Sequence, residues 1–320
     1  MKKVMAGVDI GGTNTVFGLA DIEGNIHAEG RILTGDYPDI NDFVAALAGA
    51  IKKLSSNNFE LAGIGIGAPN AQHYRGTIEL APNLPWKGII PLVEMLSQQT
   101  GVPATLTNDA NAAAVGEMVF GAAKEMKDFI VLTLGTGLGS GIVIDGRLVY
   151  GHSAFAGELG HMTIIPDGRE CGCGKKGCLE TYASASGLVR TVQYFLSEMK
   201  AESSLRNMIP SAITSKMVAE AAANNDPVAI KAFNYTAEAL GFGIVNAIVF
   251  SSPEAIFLFG GLAKAGDILF NPVREYVEKN IMNVFRGTVK ILPSGIPENN
   301  AATLGAAALA WNDFGKKKIS

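Results

Sequence analysis

Cysteine, histidine and tryptophan are scarce in this chain: its 320 residues include three cysteines, four histidines and two tryptophans. An odd number of cysteines leaves at least one thiol unpaired, which argues against the disulfide framework of a secreted protein. Charged residues make up only 18% of the sequence and the net charge is -4, so we expect no nucleic-acid partner. Reduced thiols in a chain of this kind favour a cytoplasmic location.

Long apolar runs are missing as well. The N-terminus reads MKKVMAGVDIGG, and Asp9 interrupts its apolar run too early for a signal peptide. No stretch approaches the roughly 18 apolar residues that span a bilayer, so we expect no membrane association. The hydrophobic content of 48% predicts a folded chain with a substantial core, long enough for two domains. The lysines at 316–318 are interpreted as a solvated tail.

All three cysteines lie in one glycine-rich segment, GELGHMTIIPDGRECGCGKKGCLE, at residues 157–180. Cys171, Cys173 and Cys178 follow His161, and three thiolates with one imidazole form a complete tetrahedral ligand set for zinc. Two other interpretations are that the cysteines are small buried apolar residues or that two of them form a disulfide. Glu158 and Glu180 bracket the cluster, so folding around a metal would bring two carboxylates together.

The order of predicted elements indicates an α/β protein. Apolar strands are predicted at 4–10, 15–20, 26–33 and 61–67, with an amphipathic helix from Asp42 between the last two. A helix near 89–99 and a strand near Thr105 follow. This first half predicts a strand-rich unit with few helices.

A weaker echo of that pattern occupies the second half of the chain. Strands at 129–134, 141–144 and 148–150 are separated by the turns GTGLG and Asp145-Gly146. Helices are predicted at 184–199, 227–250, 272–281 and 301–314, and strands at 255–259 and near 289–292. The repetition suggests two similar α/β halves with a cleft between them. We expect lobes of 1–110 plus 301–320 and of 111–300.

Two glycine-rich turns between strands are candidate phosphate loops. The first contains Asp9, Gly11, Gly12, Thr13 and Asn14, whose backbone N–H groups and side chains can face phosphate oxygens. Asp9 would suit such a site through a magnesium ion. A strand follows this turn instead of a helix, which excludes the dinucleotide-binding fingerprint. Alone, the motif is also compatible with a plain β-turn.

The second candidate loop contains Gly135, Thr136 and Gly137, again between two strands. Two such hairpins, one from each half, could hold the phosphates of a nucleotide from both sides. Gly260 and Gly261 follow a buried strand, where they would let a flat adenosine approach the backbone. Each motif alone would be an ordinary turn or loop.

Polar residues near two helix or loop starts complete the candidate site. Asn108 and Asp109 precede a helix, where either residue could simply act as a cap. In the functional interpretation Asp109 is a general base that takes a proton from a substrate hydroxyl. Asn83 lies in the loop APNLPW and could bind a polyol, although this signal is weak alone.

Together these segments resemble the ROK family of sugar kinases and regulators, within the actin-like and hexokinase-like ATPases. The resemblance extends from Asp9 to the final helix and is most specific in GELGH and CGCGKKGCLE. It implies a two-domain actin-like ATPase (ribonuclease H-like) fold, with mixed sheets flanked by helices and a cleft between the lobes. Two positions depart from the family pattern, Ser140 and Leu262, where glycine is common.

The resemblance also implies a role for each matching residue. It makes Asp109 the catalytic base and Asp9 the residue that helps to place Mg²⁺ beside ATP. The implied sets are Asn83, Asn108, Asp109, Glu158, His161 and Glu180 for the sugar; Gly11, Gly12, Thr13, Asn14, Gly135, Thr136 and Gly137 for the phosphates; Gly260 and Gly261 for adenosine; and His161, Cys171, Cys173 and Cys178 for structural Zn²⁺.

The implied activity is transfer of a phosphoryl group from ATP to the 6-hydroxyl of D-glucose. Kinases of the family for N-acetylmannosamine, N-acetylglucosamine, allose, mannose or fructose are the alternative, and polyphosphate is an alternative donor. Regulators of the family carry a helix-turn-helix domain before the first loop, and here eight residues precede Asp9. Relatives assemble as dimers or tetramers, so we expect a homodimer.

Overall fold

The computed structural model describes residues 1–55, 58–297 and 300–315, so the lysine tail at 316–318 lies outside the described residues. The chain divides into two compact units. The first comprises Met1–Lys127, Gly141–Ala156 and the residues from Gly295 onward; the second comprises Asp128–Ser140 and Gly157–Ser294. This division assigns 111–127 and 141–156 to the first unit. The lobes expected from the sequence, 1–110 with 301–320 and 111–300, stay a prediction.

Strands and helices alternate along the described residues. The strands are β1 Lys2–Ile10, β2 Asn14–Ala20, β3 Ile26–Leu33, β4 Phe59–Gly67, β5 Ala71–Gln72, β6 Thr77–Glu79, β7 Ile89–Ile90, β8 Ala104–Thr107, β9 Phe129–Leu134, β10 Leu138–Ile144, β11 Arg147–Leu148, β12 Ala255–Phe259 and β13 Lys290–Pro293. The helices are α1 Ile40–Ser55, α2 Leu92–Thr100, α3 Asp109–Val119, α4 Ala185–Glu198, α5 Ser215–Ala223, α6 Pro227–Ser251, α7 Asp267–Asn280 and α8 Ala301–Phe314.

The first unit contains a five-stranded mixed sheet with the strand order β3-β2-β1-β4-β8. Strands β1, β2 and β3 are antiparallel neighbours, whereas β4 is parallel to both β1 and β8. The apolar face of α1 covers this sheet through Phe43, Val44, Leu47 and Ile51, which are all buried. The helical spacing of these residues is the signal that predicts α1 in the sequence.

Helix α8 packs against the same sheet at unusually short range. A Cβ atom added to Gly7 of β1 would lie 1.9 Å from the carbonyl oxygen of Thr303. One added to Gly65 of β4 would lie 1.8 Å from that of Ala306. Because any side chain at these two glycines would overlap the helix backbone, the close contact requires glycine.

A second five-stranded sheet has the strand order β11-β10-β9-β12-β13. Strand β12 is parallel to β9 and β13, and β10 and β11 form an antiparallel hairpin. The predicted turn at Asp145-Gly146 connects them, and both of its residues have positive φ, as a two-residue hairpin of this kind requires. Both mixed sheets, flanked by helices, confirm the predicted α/β class.

Two predicted helices are corrected by the structure. The helix expected at 89–99 begins only at Leu92, because Ile89 and Ile90 pair with β6 in a small three-stranded sheet. The helix expected to start at Pro272 starts at Asp267, after Gly266 with φ 59°, and Pro272 lies inside it. A two-residue strand is too short to show a periodic pattern. Proline usually marks a first helical turn, so a proline inside a helix misplaces the predicted start of that helix.

Helix α6 corrects a further expectation. Within its 25 residues a window of 18 has a mean hydropathy of 1.2, so by length and composition the helix could cross a membrane. Half of that window is buried inside the protein, as is common for a core helix. The helix is therefore weak evidence for a membrane span, although the sequence analysis expected no segment of this kind.

Candidate functional site

The first candidate phosphate loop is a tight hairpin between β1 and β2, called here the hairpin loop (residues 11–14). The backbone N–H of Gly11 donates to the carbonyl oxygen of Asn14 at 2.9 Å, and Gly12 and Thr13 at the tip are exposed. The hydroxyl of Thr34 donates to the carbonyl oxygen of Gly11 at 2.8 Å. Thr34, which the sequence analysis did not assign, therefore braces the loop from the end of β3.

Asn83 lies beside the hairpin loop within the first unit. A Cβ atom on Gly12 would lie 2.4 Å from the carbonyl oxygen of Asn83, so this approach requires glycine. The loop that carries Asn83 is anchored by Trp86, whose indole N–H donates to the carbonyl oxygen of Tyr37 at 2.9 Å. The Trp86 ring also packs on Phe43 with ring centroids 4.4 Å apart. The exposed Asn83 is thus held next to the hairpin by a buried aromatic anchor.

Asp9 and Asp109 form a pair of carboxylates in the same unit. Asp9 is on β1 opposite Gly67 of β4, and Asp109 is the first residue of α3. Burial, and to a smaller extent the negative charge of Asp109, raise the pKa of Asp9 to about 6. A cation at this position would offset both effects, so the donor set fits a magnesium ion.

Asn108 caps α3, as one interpretation of the sequence held. Its side-chain oxygen accepts from the backbone N–H of Asn111 at 2.8 Å. Asp109 has one carboxylate oxygen engaged by the N–H of Ala110 at 2.9 Å, and its side chain is exposed. Capping by Asn108 therefore fixes the helix start and leaves the carboxylate of Asp109 at the surface of the unit.

The second candidate loop lies in the second unit, against the start of α4. The carbonyl oxygen of Gly135 accepts from the backbone N–H of Ala185 at 2.9 Å, and that of Thr136 accepts from the hydroxyl of Ser186 at 2.6 Å. A Cβ atom on Gly137 would lie 2.5 Å from a carboxylate oxygen of Glu180. The loop is therefore in contact with one of the candidate sugar-binding glutamates.

Gly260 and Gly261 lie close to this second loop. Gly260 has φ 101°, and a Cβ atom there would lie 2.9 Å from the carbonyl oxygen of Leu134, the residue before Gly135. A Cβ atom on Gly261 would meet nothing within 4 Å. The two glycine motifs are neighbours in the second unit, and the space beside Gly261 is open to a ligand.

Residues 157–180, called here the cysteine segment, contain little regular secondary structure. Two short 3-10 turns and the isolated bridges Thr163–Cys178 and Glu170–Lys176 are recorded there. Arg169 ties the segment to the next residues, because its backbone N–H donates to the phenol oxygen of Tyr182 at 2.8 Å and its guanidinium lies over that ring. Backbone hydrogen bonds such as those from Gly177 to Arg169 and from Cys171 to Lys175 also help to fix the shape of the segment.

The four predicted zinc ligands converge in that segment. The ligand atoms of His161, Cys171, Cys173 and Cys178 all lie within 4.8 Å of one another. The Cys173 and Cys178 sulfurs are 3.7 Å apart, and the Cys171 sulfur is 3.6 Å from Nδ1 of His161. Around a tetrahedral zinc, two sulfurs lie about 3.8 Å apart and a sulfur and nitrogen about 3.5 Å apart. The geometry of the donor set fits zinc.

The protonation of the thiols is consistent with that fit. Burial raises the pKa of the Cys171 and Cys178 thiols, and a hydrogen bond from the backbone N–H of Lys175 lowers the pKa of Cys173. A divalent cation would stabilise the buried thiolates. All three cysteines are free thiols, so the disulfide interpretation is not favoured.

Glu158, His161 and Glu180 meet at the edge of the cysteine and histidine cluster. Nε2 of His161 is 3.8 Å from a carboxylate oxygen of Glu158, and Nδ1 is 3.6 Å from one of Glu180. The other carboxylate oxygen of Glu180 accepts from the backbone N–H of Leu138 at 3.4 Å. If Nδ1, which faces Cys171, binds a metal, Nε2 remains free to link His161 to the carboxylate of Glu158.

The predicted site residues thus form two groups. The first unit holds Asp9, Gly11, Gly12, Thr13, Asn14, Asn83, Asn108 and Asp109. The second unit holds Gly135, Thr136, Gly137, Glu158, His161, Cys171, Cys173, Cys178, Glu180, Gly260 and Gly261. The sequence analysis missed Thr34, because a lone hydroxyl after a strand gives no pattern that would identify it. It noted Ser140 only as a departure from glycine and did not predict its contacts.

Comparison with known proteins gives a consistent result. A model described as the ROK family matches residues 5–313. A glucokinase of Streptomyces coelicolor is 36% identical over 310 residues, which cover 95% of this chain and 96% of the relative. A glucokinase of Thermotoga maritima is 35% identical over 98% of this chain and 99% of its own length.

A solved structure is similar over nearly the whole chain. The ROK family glucokinase from Streptomyces griseus, in complex with glucose and AMPPNP, has a TM-score of 0.79 and 35% identity. The match covers 97% of this chain and 99% of that one.

Proposed function

Because this chain belongs to the ROK family, we propose that it is an ATP-dependent hexose kinase of the glucokinase type that phosphorylates the 6-hydroxyl of D-glucose. The similarity over 97% of the chain to a glucokinase bound to glucose and AMPPNP carries this proposal. Membership of the family and the actin-like ATPase fold, both expected from the sequence, are confirmed. The identity of the sugar and the roles of the individual residues are proposed.

In the proposed mechanism Asp109 is the general base. Its carboxylate is exposed at the start of α3, where it can accept the proton of the 6-hydroxyl as that oxygen attacks the γ-phosphorus of ATP. The bond from the γ-phosphorus to the β,γ-bridging oxygen breaks, and ADP leaves. Asn108 supports this role, since its cap fixes the position of the neighbouring base.

The two glycine loops are proposed to hold the phosphates, through residues 11–14 and 135–137, while Gly260 and Gly261 accept the adenosine. The exposed Gly12 and Thr13 at the tip of the hairpin loop and the open space at Gly261 support these assignments. Asp9 would hold Mg²⁺, which would neutralise charge on the phosphates during transfer. The carboxylate pair of Asp9 and Asp109 supports that assignment.

The sugar is proposed to contact Asn83, Asn108, Glu158, His161 and Glu180. Hexose hydroxyls both donate and accept hydrogen bonds, so carboxylates and amides can satisfy them in pairs, and an epimer that leaves one unpaired binds poorly. His161, Cys171, Cys173 and Cys178 would hold the zinc, which supplies rigidity to the cysteine segment. The burial of Cys171 and Cys178 and the spacing of the ligand atoms support this part of the proposal.

The proposal extends to the cellular location of the protein and to its oligomeric state. Three free thiols grouped as metal ligands support a cytoplasmic protein. A homodimer or tetramer is supported by exposed apolar side chains on the outer side of α6, namely Phe242, Val249 and Phe250. Light scattering of the purified 33.5 kDa chain measures its mass in solution, and a monomer at all concentrations would reject the dimer.

The experiment that tests the function is a coupled ADP-release assay with MgATP and a panel of hexoses. Glucose, mannose, fructose, allose, N-acetylglucosamine and N-acetylmannosamine are compared by kcat/KM, and polyphosphate replaces ATP in a parallel series. We expect the highest value for glucose with ATP. A higher value for another hexose would keep the kinase and replace its substrate, whereas no turnover by folded, zinc-loaded protein would reject the proposal.

A further inference from the structure

The first residues of β10 lie directly against the backbone around Glu158. A Cβ atom on Gly160 would be 2.0 Å from the carbonyl oxygen of Leu138. One on Gly157, where φ is 94°, would be 2.8 Å from that of Ser140. Glycines on both sides of Glu158 therefore let this part of the cysteine segment approach the strand more closely than any side chain would permit.

Within this contact the side chain of Ser140 is 2% exposed and makes two hydrogen bonds. Its hydroxyl donates to the carbonyl oxygen of Gly157 and accepts from the backbone N–H of Leu159 at 3.3 Å. A serine hydroxyl can donate one bond and accept others, so both roles are compatible. The two bonded residues are the immediate neighbours of Glu158, one on each side.

We propose that Ser140 is a positioning residue of the sugar site, which fixes Glu158 by holding the backbone on both sides of it. This inference rests on the proposed function, since Glu158 is a sugar ligand only in that proposal. The side chain of Glu158 is 51% exposed, and its carboxylate lies 3.8 Å from Nε2 of His161. Where that carboxylate lies also depends on the backbone from which it projects, and Ser140 holds that backbone on both sides.

The residue type at 140 matters, because the family resemblance expects glycine there. A glycine would leave the carbonyl oxygen of Gly157 and the N–H of Leu159 without the hydroxyl that now joins them. Strand β10 also contributes the N–H of Leu138 to Glu180 at 3.4 Å. The same strand start thus supports both candidate sugar carboxylates, and only the support for Glu158 comes from a side chain.

The test compares Ser140→Ala, Ser140→Thr and the wild type as zinc-loaded proteins. For Ser140→Ala we expect the KM for glucose and its Kd measured by calorimetry without nucleotide to rise about tenfold, which is ~1.4 kcal/mol. The KM for ATP should stay within about twofold. Ser140→Thr keeps the hydroxyl and should restore the glucose KM to within about threefold of the wild type. Ser251→Ala is the matched control, since it removes a hydroxyl bonded to a carbonyl at the end of α6.

The possible outcomes separate the role of Ser140 from the proposed kinase function. An active wild type with an unchanged glucose KM in Ser140→Ala would overturn the role of Ser140 alone. Equal rises in the KM for glucose and for ATP, or equal losses in the Ala and Thr variants, would also overturn it, because they indicate general damage. A wild type that neither binds nor phosphorylates any hexose would overturn the function and the inference together.

Discussion

The hairpin loop and the cysteine segment are held in place by opposite means. The hairpin loop joins two long paired strands, and backbone register with the brace from Thr34 determines its shape. The cysteine segment contains 3-10 turns and isolated bridges, and its ligand atoms converge within 4.8 Å. In the proposed function, a zinc ion would supply to the cysteine segment the restraint that long paired strands supply to the hairpin loop.

The substitution with the largest expected effect on activity should leave both the hairpin loop and the cysteine segment intact. Asp109→Asn keeps an oxygen for the N–H of Ala110 but removes the base, so we expect kcat to fall about 10²- to 10⁴-fold. Glucose affinity and the melting temperature should change little. Asp42→Asn, the same change in the first turn of α1, is the control for activity. A kcat within threefold of the wild type would reject Asp109 as the base.

Removing the metal should disorder the cysteine segment and leave the hairpin loop intact. Cys178→Ser, or chelation of the wild type, should lower glucose affinity about 10- to 100-fold, since loss of a metal ligand frees His161. We also expect a melting temperature lower by roughly 5 °C or more. Metal analysis, calorimetry and thermal unfolding measure these effects, with the exposed Lys176→Ala as control. Full metal content and unchanged sugar binding in Cys178→Ser would contradict the proposal that a bound metal holds the cysteine segment in place.

The reverse experiment disturbs the hairpin loop and its contact with Asn83 but leaves the cysteine segment unchanged. Gly12→Ala places a methyl group 2.4 Å from the carbonyl oxygen of Asn83, so the loop must shift. We expect the KM for ATP to rise about tenfold while zinc content stays at the wild-type value. Gly49→Ala on α1, where an added Cβ meets nothing within 4 Å, is the matched control. An unchanged KM for ATP would show that this loop does not hold the phosphates.

The smallest effect concerns the ionisation of Asp9 in the nucleotide-free protein. Its folded pKa of about 6 exceeds the ordinary aspartate pKa of 3.8, so folding favours the protonated form. The stability that this provides is complete below pH 3.8 and is lost as the pH rises through about 6. Urea unfolding without Mg²⁺ between pH 4 and 7 should therefore give a steeper fall for the wild type than for Asp9→Asn. Parallel curves for the two proteins would contradict a raised pKa.

Much of the fold is predictable because its long elements carry periodic apolar patterns. Strands β1 and β9 and helix α1 agree closely with the sequence prediction, since each has enough residues for a pattern to develop. The pairing of Ile89 with β6 is not predictable, because two-residue strands have no periodicity. Pro272 misplaces the start of α7 for a related reason, since the local signal of proline outweighs the longer pattern of the helix.

For the candidate site, the types of residue are predictable and their neighbours are not. Cysteine spacing predicts the convergence around a metal, and the ligand distances agree with it. Contacts such as Gly12 with Asn83 and Gly137 with Glu180 join residues more than forty positions apart, and only the folded chain brings them together. Ser140 is the clearest example: its sequence signal is a departure from glycine, whereas its role depends on bonds to two residues in another segment.

The close packing of α8 on β1 and β4 has a consequence for the synthesis of the chain. Every strand of the first sheet is translated within the first 107 residues, but the helix that seats on Gly7 and Gly65 begins at residue 301. A nascent chain must therefore present one uncovered apolar face of that sheet while roughly two hundred further residues leave the ribosome. Contacts so distant in sequence slow folding and favour association with chaperones, so truncation before α8 should yield insoluble protein.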